Sequence, residues 1–231
     1  MRVNAVIVAA GEGKRMGRDT SKPFLPLAGR PLILHTLSRF AASHARRVIL
    51  VAAEKEESKL ERLIRSDRKL SRLKWVLQPG GRRRQDSVKQ GLKRLDEDCR
   101  VVVIHDGARP FVSPALIDRC VETALKEGAV VVGVPVRNTI KVVSASRRVE
   151  STPPRDSLWE IQTPQAFRVE IIREAHLAAD REGIEATDDA MLVERLGKSV
   201  ALLEGDRSNI KITTPEDLLI AEALIRQRRV R

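Results

Sequence analysis

The chain has no tyrosine, and its other aromatics are four phenylalanines and two tryptophans among 231 residues. Its interior must therefore be built mainly from Leu, Ile, Val and Ala. Binders of single-stranded nucleic acid stack bases on aromatic rings, and few rings are on offer here. Cysteine is scarcer still: Cys99 and Cys120 form no CxxC pair and cannot make a disulfide framework. The four histidines, at 35, 44, 105 and 176, include no HxxxH pair, which argues against a zinc centre. No apolar run approaches the roughly 20 residues of a membrane helix. The run from Val3 to Ala10 is too short for a secretory signal with its cleavage site. Together these absences point to a reduced, cytoplasmic protein with no membrane attachment.

What the chain does have is positive charge. Lys and Arg total 43 against 31 Asp and Glu, a net charge of +12. With 42% hydrophobic residues the chain has the means to fold around a sizeable core. The cations are spread along it, with short clusters at Arg82–Arg84 and Arg226–Arg231, and many alternate with acids, as in Ser58–Lys74. Such stretches usually form solvated helix faces. The surplus suits a highly anionic small molecule as well as it suits nucleic acid, so a basic nucleic-acid-binding protein stands as the competing class.

Apolar runs and helical periods alternate. Val3–Ala9, Val48–Ala53, Trp75–Gln78, Val101–His105 and Ala129–Val136 read as buried strands, several nearly unbroken in Val, Ile and Ala. Between them Leu32–Ser43, Lys55–Leu73, Ser87–Asp96 and Ala115–Glu127 carry helical periods, the last opened by Ser113-Pro114. This predicts an α/β fold, a mostly parallel sheet with helices on both faces. Its ligand belongs beyond the carboxyl ends of the strands. After Val136 the rhythm breaks. Thr139–Val143 and Arg148–Thr152 flank a turn and predict a polar hairpin arm, about residues 138–153, projecting from one domain that spans 1–231. Strands then follow at Gln162–Phe167, Val200–Leu203 and Ile210–Thr213. Helices are expected at Val169–Arg181, at Asp188–Leu196 and after Thr214-Pro215.

Four segments could carry chemistry. Ala9-Ala10-Gly11-Glu12-Gly13-Lys14-Arg15-Met16 follows the first strand, and a glycine turn there lets backbone amides cradle a phosphate. It is neither a Walker A loop, since Arg15 follows Gly13-Lys14, nor a dinucleotide fingerprint, since Met16 replaces the third glycine. Lys14, Arg15 and Lys22 gather cations on a loop that Pro23 and Pro26 stiffen, which suits a triphosphate. His105-Asp106-Gly107-Ala108-Arg109-Pro110 ends the fourth strand, where Asp106 could hold a Mg²⁺–phosphate complex or pair with Arg109. His105 reads as buried and hydrogen-bonded. Gly80-Gly81-Arg82-Arg83-Arg84-Gln85-Asp86-Ser87 could contact a base or phosphate, or be a solvated basic turn. Arg155 and Lys211 are single cations in uncharged surroundings, and Lys211, between isoleucines, could simply face water. No nucleophile–base constellation suggests covalent catalysis.

In this order the segments resemble the 2-C-methyl-D-erythritol 4-phosphate cytidylyltransferase family. The likeness rests on Ala9-Ala10-Gly11-x-Gly13-x-Arg15-Met16 with Lys22-Pro23, on Gly80-Gly81 with Arg84-x-Asp86-Ser87-Val88, and on His105-Asp106-x-Ala108-Arg109-Pro110. It continues through Pro135-Val136-x-x-Thr139, Thr163-Pro164-Gln165, Thr187-Asp188 and Asn209-Ile210-Lys211. Arg82, where the family often has an acid, and Gly107, in place of a common alanine, depart from it.

The resemblance implies a Rossmann-like nucleotidyltransferase fold and a homodimer clasped by its arms. It also implies transfer of CMP from CTP to 2-C-methyl-D-erythritol 4-phosphate with Mg²⁺. By the same match Arg15, Lys22, Arg155 and Lys211 are catalytic. Ala9, Ala10, Gly11, Gly13, Gly81 and Ser87 line the nucleotide. Asp106, Arg109, Thr139 (from a partner's arm) and Thr163 bind the alcohol phosphate, with Asp106 also at the metal. A related enzyme acting on another polyol phosphate, such as ribitol 5-phosphate, is the alternative within the class.

Overall fold

The computed structural model describes residues 2–11, 21–45 and 47–230. Seven strands form the central sheet: β1 (Arg2–Val8), β4 (Arg47–Ala52), β5 (Lys74–Pro79), β6 (Cys99–Asp106), β7 (Ala129–Pro135), β10 (Trp159–Arg168) and β11 (Ala201–Glu204). Their order is β5-β4-β1-β6-β10-β7-β11, and every pairing is parallel except the two made by β10. A ribbon of β2 (Pro26–Leu27) and β3 (Arg30–Pro31) precedes the first long helix.

The sheet is covered on both faces because its strands are apolar on both. In β1, Ala5 and Ile7 face α1 (Leu32–Ala41), α2 (Glu57–Ser66) and α4 (Pro114–Glu127). Val6 faces the other way, toward α3 (Arg84–Leu92), α5 (Val169–Glu182) and α6 (Asp189–Arg195). The period of two along a strand makes this division. A smaller cluster joins Leu27, Leu32, Phe111 and Ile212 to α7 (Pro215–Val230) through Leu218 and Ala221. Helix starts follow their local chemistry: the Ser113 side chain accepts from Leu116 N–H, with Pro114 at the first helical position. The Asp188 side chain caps α6 in the same way.

Two expectations are corrected. Lys55–Leu73 is not one helix; α2 is flanked by short 3₁₀ turns at Glu54–Glu56 and Arg68–Leu70. Asp67 ends it, because its carboxylate accepts from Lys69 N–H and ion-pairs with Arg30 at 2.7 Å, offering the backbone an alternative to helix. Ile210–Thr213 forms no strand and belongs to no sheet; its Ile212 N–H donates to Ala108 O at 2.9 Å. The arm pairs β8 (Val142–Val143) with β9 (Val149–Ser151) as expected, and among its polar residues it carries four apolar side chains with no cover. Ile140, Val142, Val143 and Val149 are 41%, 43%, 55% and 62% exposed, since two such short strands have no core of their own to bury them in.

Candidate active site

The chain runs from β1 to β4 and β5 on one side and returns to β6 on the other, so the strand order reverses between β1 and β6. A crevice opens at such a point beyond the carboxyl ends of the strands. Here it is a cleft of about 750 Å³ lined by Ala9, Ala10, Gly11, Lys22, Gly81, Ser87, Asp106 and Lys211, among others. Backbone bonds carry the sheet into its loops: Ala9 N–H donates to Val51 O, Gly80 N–H to Ala52 O and Gly107 N–H to Val8 O, all at 2.7–2.9 Å. The loops therefore leave the sheet in fixed directions.

The double glycine is a packing requirement. A Cβ on Gly80 would stand 2.5 Å from Ala10 Cβ, and one on Gly81 would stand 2.4 Å from Asp86 Cβ. Without side chains, the loop after β5 closes directly on the loop after β1. Ser87 fastens the turn: its Oγ accepts from Gly81 N–H at 3.1 Å and donates to Arg83 O at 3.1 Å. Asp86 accepts from Arg83 N–H at 3.0 Å, so α3 starts at Arg84, three residues before the expected Ser87.

Asp106, at the end of β6, is the electrostatic hub. Oδ1 accepts from Arg84 Nε at 3.1 Å, Oδ2 lies 2.8 Å from Lys211 Nζ, and Arg109 Nε is 3.8 Å away. Arg84 in turn donates from Nη1 to Asp189 Oδ2 at 2.7 Å, and Asp189 is 1% exposed. Burial alone would raise the Asp106 pKa; Arg84 and then Lys211 overcome it and hold the carboxyl well below its usual range. Burial likewise opposes the charge on Arg84, and Asp189 and then Asp106 restore it. Arg84, Arg109 and Lys211 against Asp106 and Asp189 leave the cluster one positive charge in excess. The Lys211 side chain is 40% exposed, against 10% for Asp106, so the lysine is the member free to reach a phosphate.

A hydrogen-bond chain fixes the strand end. Asp106 N–H donates to Thr163 Oγ1 at 3.0 Å, Thr163 contacts His105 Nδ1 at 3.1 Å, and His105 Nε2 contacts Arg109 O at 3.1 Å. A carbonyl can only accept, so Nε2 carries the proton and Nδ1 accepts from the Thr163 hydroxyl. His105 has no exposure, and burial lowers its pKa to about 4. It is buried and hydrogen-bonded, as its sequence context suggests. Asn209, also without exposure, donates from Nδ2 to Thr163 O at 2.9 Å and to Gln162 Oε1 at 3.2 Å, while its backbone carbonyl accepts from Arg109 Nη1 at 2.8 Å. These bonds set the segment that carries Lys211 over Asp106.

Of the expected site residues, Ala9, Ala10, Gly11, Lys22, Gly81, Ser87, Asp106 and Lys211 line one cleft. Gly13 and Arg15 lie outside the described residues. Arg109 and Thr163 border an adjoining cavity of about 250 Å³ that also reaches Asp106 and Lys211. Two hydroxyls assigned to ligands have other tasks: that of Ser87 shapes the glycine turn, and that of Thr163 locks His105 and Asp106. Thr139 and Arg155 line neither space. Both are exposed, Thr139 on the arm and Arg155 in the short turn just after it, where Arg155 Nη1 donates to Arg137 O at 3.1 Å.

Lys211 does not merely face water. Arg84, which the sequence marks only as part of the Gly80–Ser87 segment, and Asp189, which it does not mark, are the further members of the cluster. One local signal existed: Arg84 places a cation in the first turn of a helix, against the helix dipole, and such a residue needs an acidic partner. Among the described residues no three ligating side chains converge on a metal position, and Asp106 is the one carboxylate lining the cleft. That donor set fits a hard cation carried in on a triphosphate, since Mg²⁺ keeps waters and phosphate oxygens and takes one or two carboxylates.

Comparison with known proteins gives a consistent answer. The family model for 2-C-methyl-D-erythritol 4-phosphate cytidylyltransferase matches residues 3–227. A protein of that name from Alkaliphilus metalliredigens is 44% identical over 229 residues, covering 99% of this chain and 95% of its own. Another, from Bacillus velezensis, is 47% identical and covers 98% and 97%. The crystal structure of the Thermus thermophilus enzyme superposes with a TM-score of 0.79 at 37% identity, covering 98% of this chain and all of that one. A 4-diphosphocytidyl-2C-methyl-D-erythritol synthase from Anaerococcus prevotii gives a TM-score of 0.86 at 30% identity, covering 97% and 98%.

Proposed function

The chain belongs to the 2-C-methyl-D-erythritol 4-phosphate cytidylyltransferase family, and from that premise we propose how its own residues carry out the reaction. It is a cytidylyltransferase of isoprenoid precursor synthesis: CMP passes from CTP to 2-C-methyl-D-erythritol 4-phosphate, and pyrophosphate leaves. The observation that carries the assignment of roles is the convergence of Lys22, Lys211, the Gly81 turn and Asp106 on one cleft at the strand-order reversal.

An oxygen of the alcohol phosphate must attack the α-phosphorus of CTP. Both partners are anions, and charge grows on the departing pyrophosphate. The protein's tools are positioning and electrostatic stabilisation, with no nucleophile of its own. Lys22 neutralises the triphosphate and the leaving group, joined by Arg15. Lys211 moves from Asp106 to the incoming phosphate and holds it in line. The Gly80–Ser87 turn and the loop 9–11 hold the cytidine. Mg²⁺, when bound, would offset phosphate charge, with Asp106 as its protein ligand. Thr139 and Arg155 complete the alcohol-phosphate side from a second copy's arm, which makes the enzyme a homodimer.

The test is pyrophosphate release with each of the four nucleoside triphosphates and 2-C-methyl-D-erythritol 4-phosphate, then with ribitol 5-phosphate. CTP with the first alcohol should be turned over fastest. Equal use of all four nucleotides would remove the role given to the glycine turn, because a site that hydrogen-bonds one base rejects those that leave its groups unpaired.

A further inference from the structure

A guanidinium beside a carboxylate ordinarily pairs through two parallel N–H···O bonds, its strongest geometry. Arg84 does not do this with Asp106. Its Nε donates to Asp106 Oδ1 at 3.1 Å with no second bond from Nη2 to Oδ2, while Nη1, on the far edge of the guanidinium, is held by Asp189 Oδ2 at 2.7 Å. Oδ2 of Asp106 is thereby left for Lys211, at 2.8 Å. Asp189 is fixed in turn. Its N–H donates to Gln165 Oε1 at 3.2 Å, and Gln165 Nε2 donates to the α6 cap Asp188 at 2.8 Å. Behind it, His176 Nε2 of α5 lies 3.4 Å from Asp189 Oδ1, with both ring nitrogens buried and without hydrogen-bond partners.

We propose that Asp189 is a positioning residue for cytidylyl transfer: it holds Arg84 from behind, keeps that guanidinium from closing on both oxygens of Asp106, and so reserves one oxygen as the anchor of Lys211. The proposal rests on the role given above to Lys211. With the anchor in place, the ammonium waits at the cleft in one position and needs only a short shift to meet a phosphate. With Asp189 uncharged, Arg84 turns onto Asp106 as a fork and displaces the lysine. Lys211 must then be ordered afresh on each encounter from a half-exposed side chain. Loss of such placement costs turnover steeply.

Asp189→Asn, Arg84→Lys and their double variant decide it by kinetics. Asp189→Asn should lower kcat about tenfold or more and raise KM for the alcohol phosphate, with KM for CTP changing less than about twofold. Arg84→Lys, added to Asp189→Asn, should restore part of the loss, because a lysine cannot pair as a fork. A purely structural role for Asp189 predicts the reverse: the two losses add and follow the drop in melting temperature. Reductive ¹³C-methylation of the lysines gives a readout that needs no turnover. The Lys211 signal, assigned by its absence in Lys211→Arg, should move in Asp189→Asn to the position it takes in Asp106→Asn. A Lys211 signal unmoved in Asp189→Asn, or a double variant worse than either single, would overturn the proposal. Failure of the unaltered protein to use CTP would instead remove the functional reading, while the Lys211 signal still decides the anchor.

Discussion

His105 shows what burial does to one residue. Its ring is sealed at the end of β6, neutral, donating to Arg109 O and accepting from Thr163. The unfolded chain takes up a proton there near pH 6.5, the folded chain only near pH 4. Between those values the unfolded state binds more protons, so stability falls as the pH falls, by at most about 3 kcal/mol across the window. Urea midpoints at pH 7, 5.5 and 4 should decline accordingly. His105→Gln, which keeps a donor toward Arg109 O, should flatten that slope; an unchanged slope would show that other groups cause it. Lys22 is the corresponding case for catalysis. Among the described residues it lines the cleft beside the loop 9–11, on a short turn stiffened by the buried Pro23. If it meets charge that grows on the departing pyrophosphate, Lys22→Ala should cut kcat of order 10²-fold with a modest change in KM for CTP. Steady-state kinetics on both substrates check this, and wild-type turnover in the variant would end the assignment.

At the scale of elements, the glycine turn and the strand ends make one closed edge. A methyl group at residue 80 has no room beside Ala10 Cβ, so Gly80→Ala must push the loop after β5 away from the loop after β1. The expected result is a dissociation constant for CTP raised roughly tenfold with the fold retained, since a displacement near 1 Å at a site costs up to about 10²-fold. Nucleotide titration by calorimetry, with circular dichroism as the fold control, measures both. What the sequence made legible follows the same division. Strands such as β1 and β6 were readable because chains buried on both faces are apolar nearly throughout, and their ends shift by only a residue or two. The loops could be placed at the cleft because they follow those strands. Ile210–Thr213 misled because alternation reports which side chains share a face, not whether a neighbouring strand exists. The Arg84–Asp189 pair, 105 residues apart, left only the oddity of a cation at a helix start. The hydroxyls of Ser87 and Thr163 were assigned to ligands because a sequence shows that a hydroxyl is present but not which partner is nearer.

At the scale of the whole molecule, the cleft and the arm belong to different places on one chain. Ile140, Val142, Val143 and Val149 stand exposed on the arm, and Thr139 and Arg155 flank them outside the cleft. Branched apolar side chains on a projecting ribbon gain stability only when another surface covers them. The proposed two-fold dimer supplies that surface by clasping the arms, and it sends Thr139 and Arg155 into the partner's cleft. This makes each site a composite, and composites can be rebuilt from broken halves. Lys22→Ala removes a cation from a chain's own cleft, and Arg155→Ala removes one that the chain lends. Each homodimer alone has two defective sites. Mixed in equal amounts and allowed to exchange subunits, half the dimers become heterodimers. In each of these, both defects fall on the same site and the other site is whole. Pyrophosphate release should rise to about a quarter of the wild-type value, by the arithmetic of random pairing in a symmetric dimer. Sedimentation should show a dimer throughout, and Val143→Asp should shift it toward monomer and lose activity in parallel. A mixture no more active than its two components, after exchange has been verified with a labelled subunit, would place Arg155 at its own chain's site or at none.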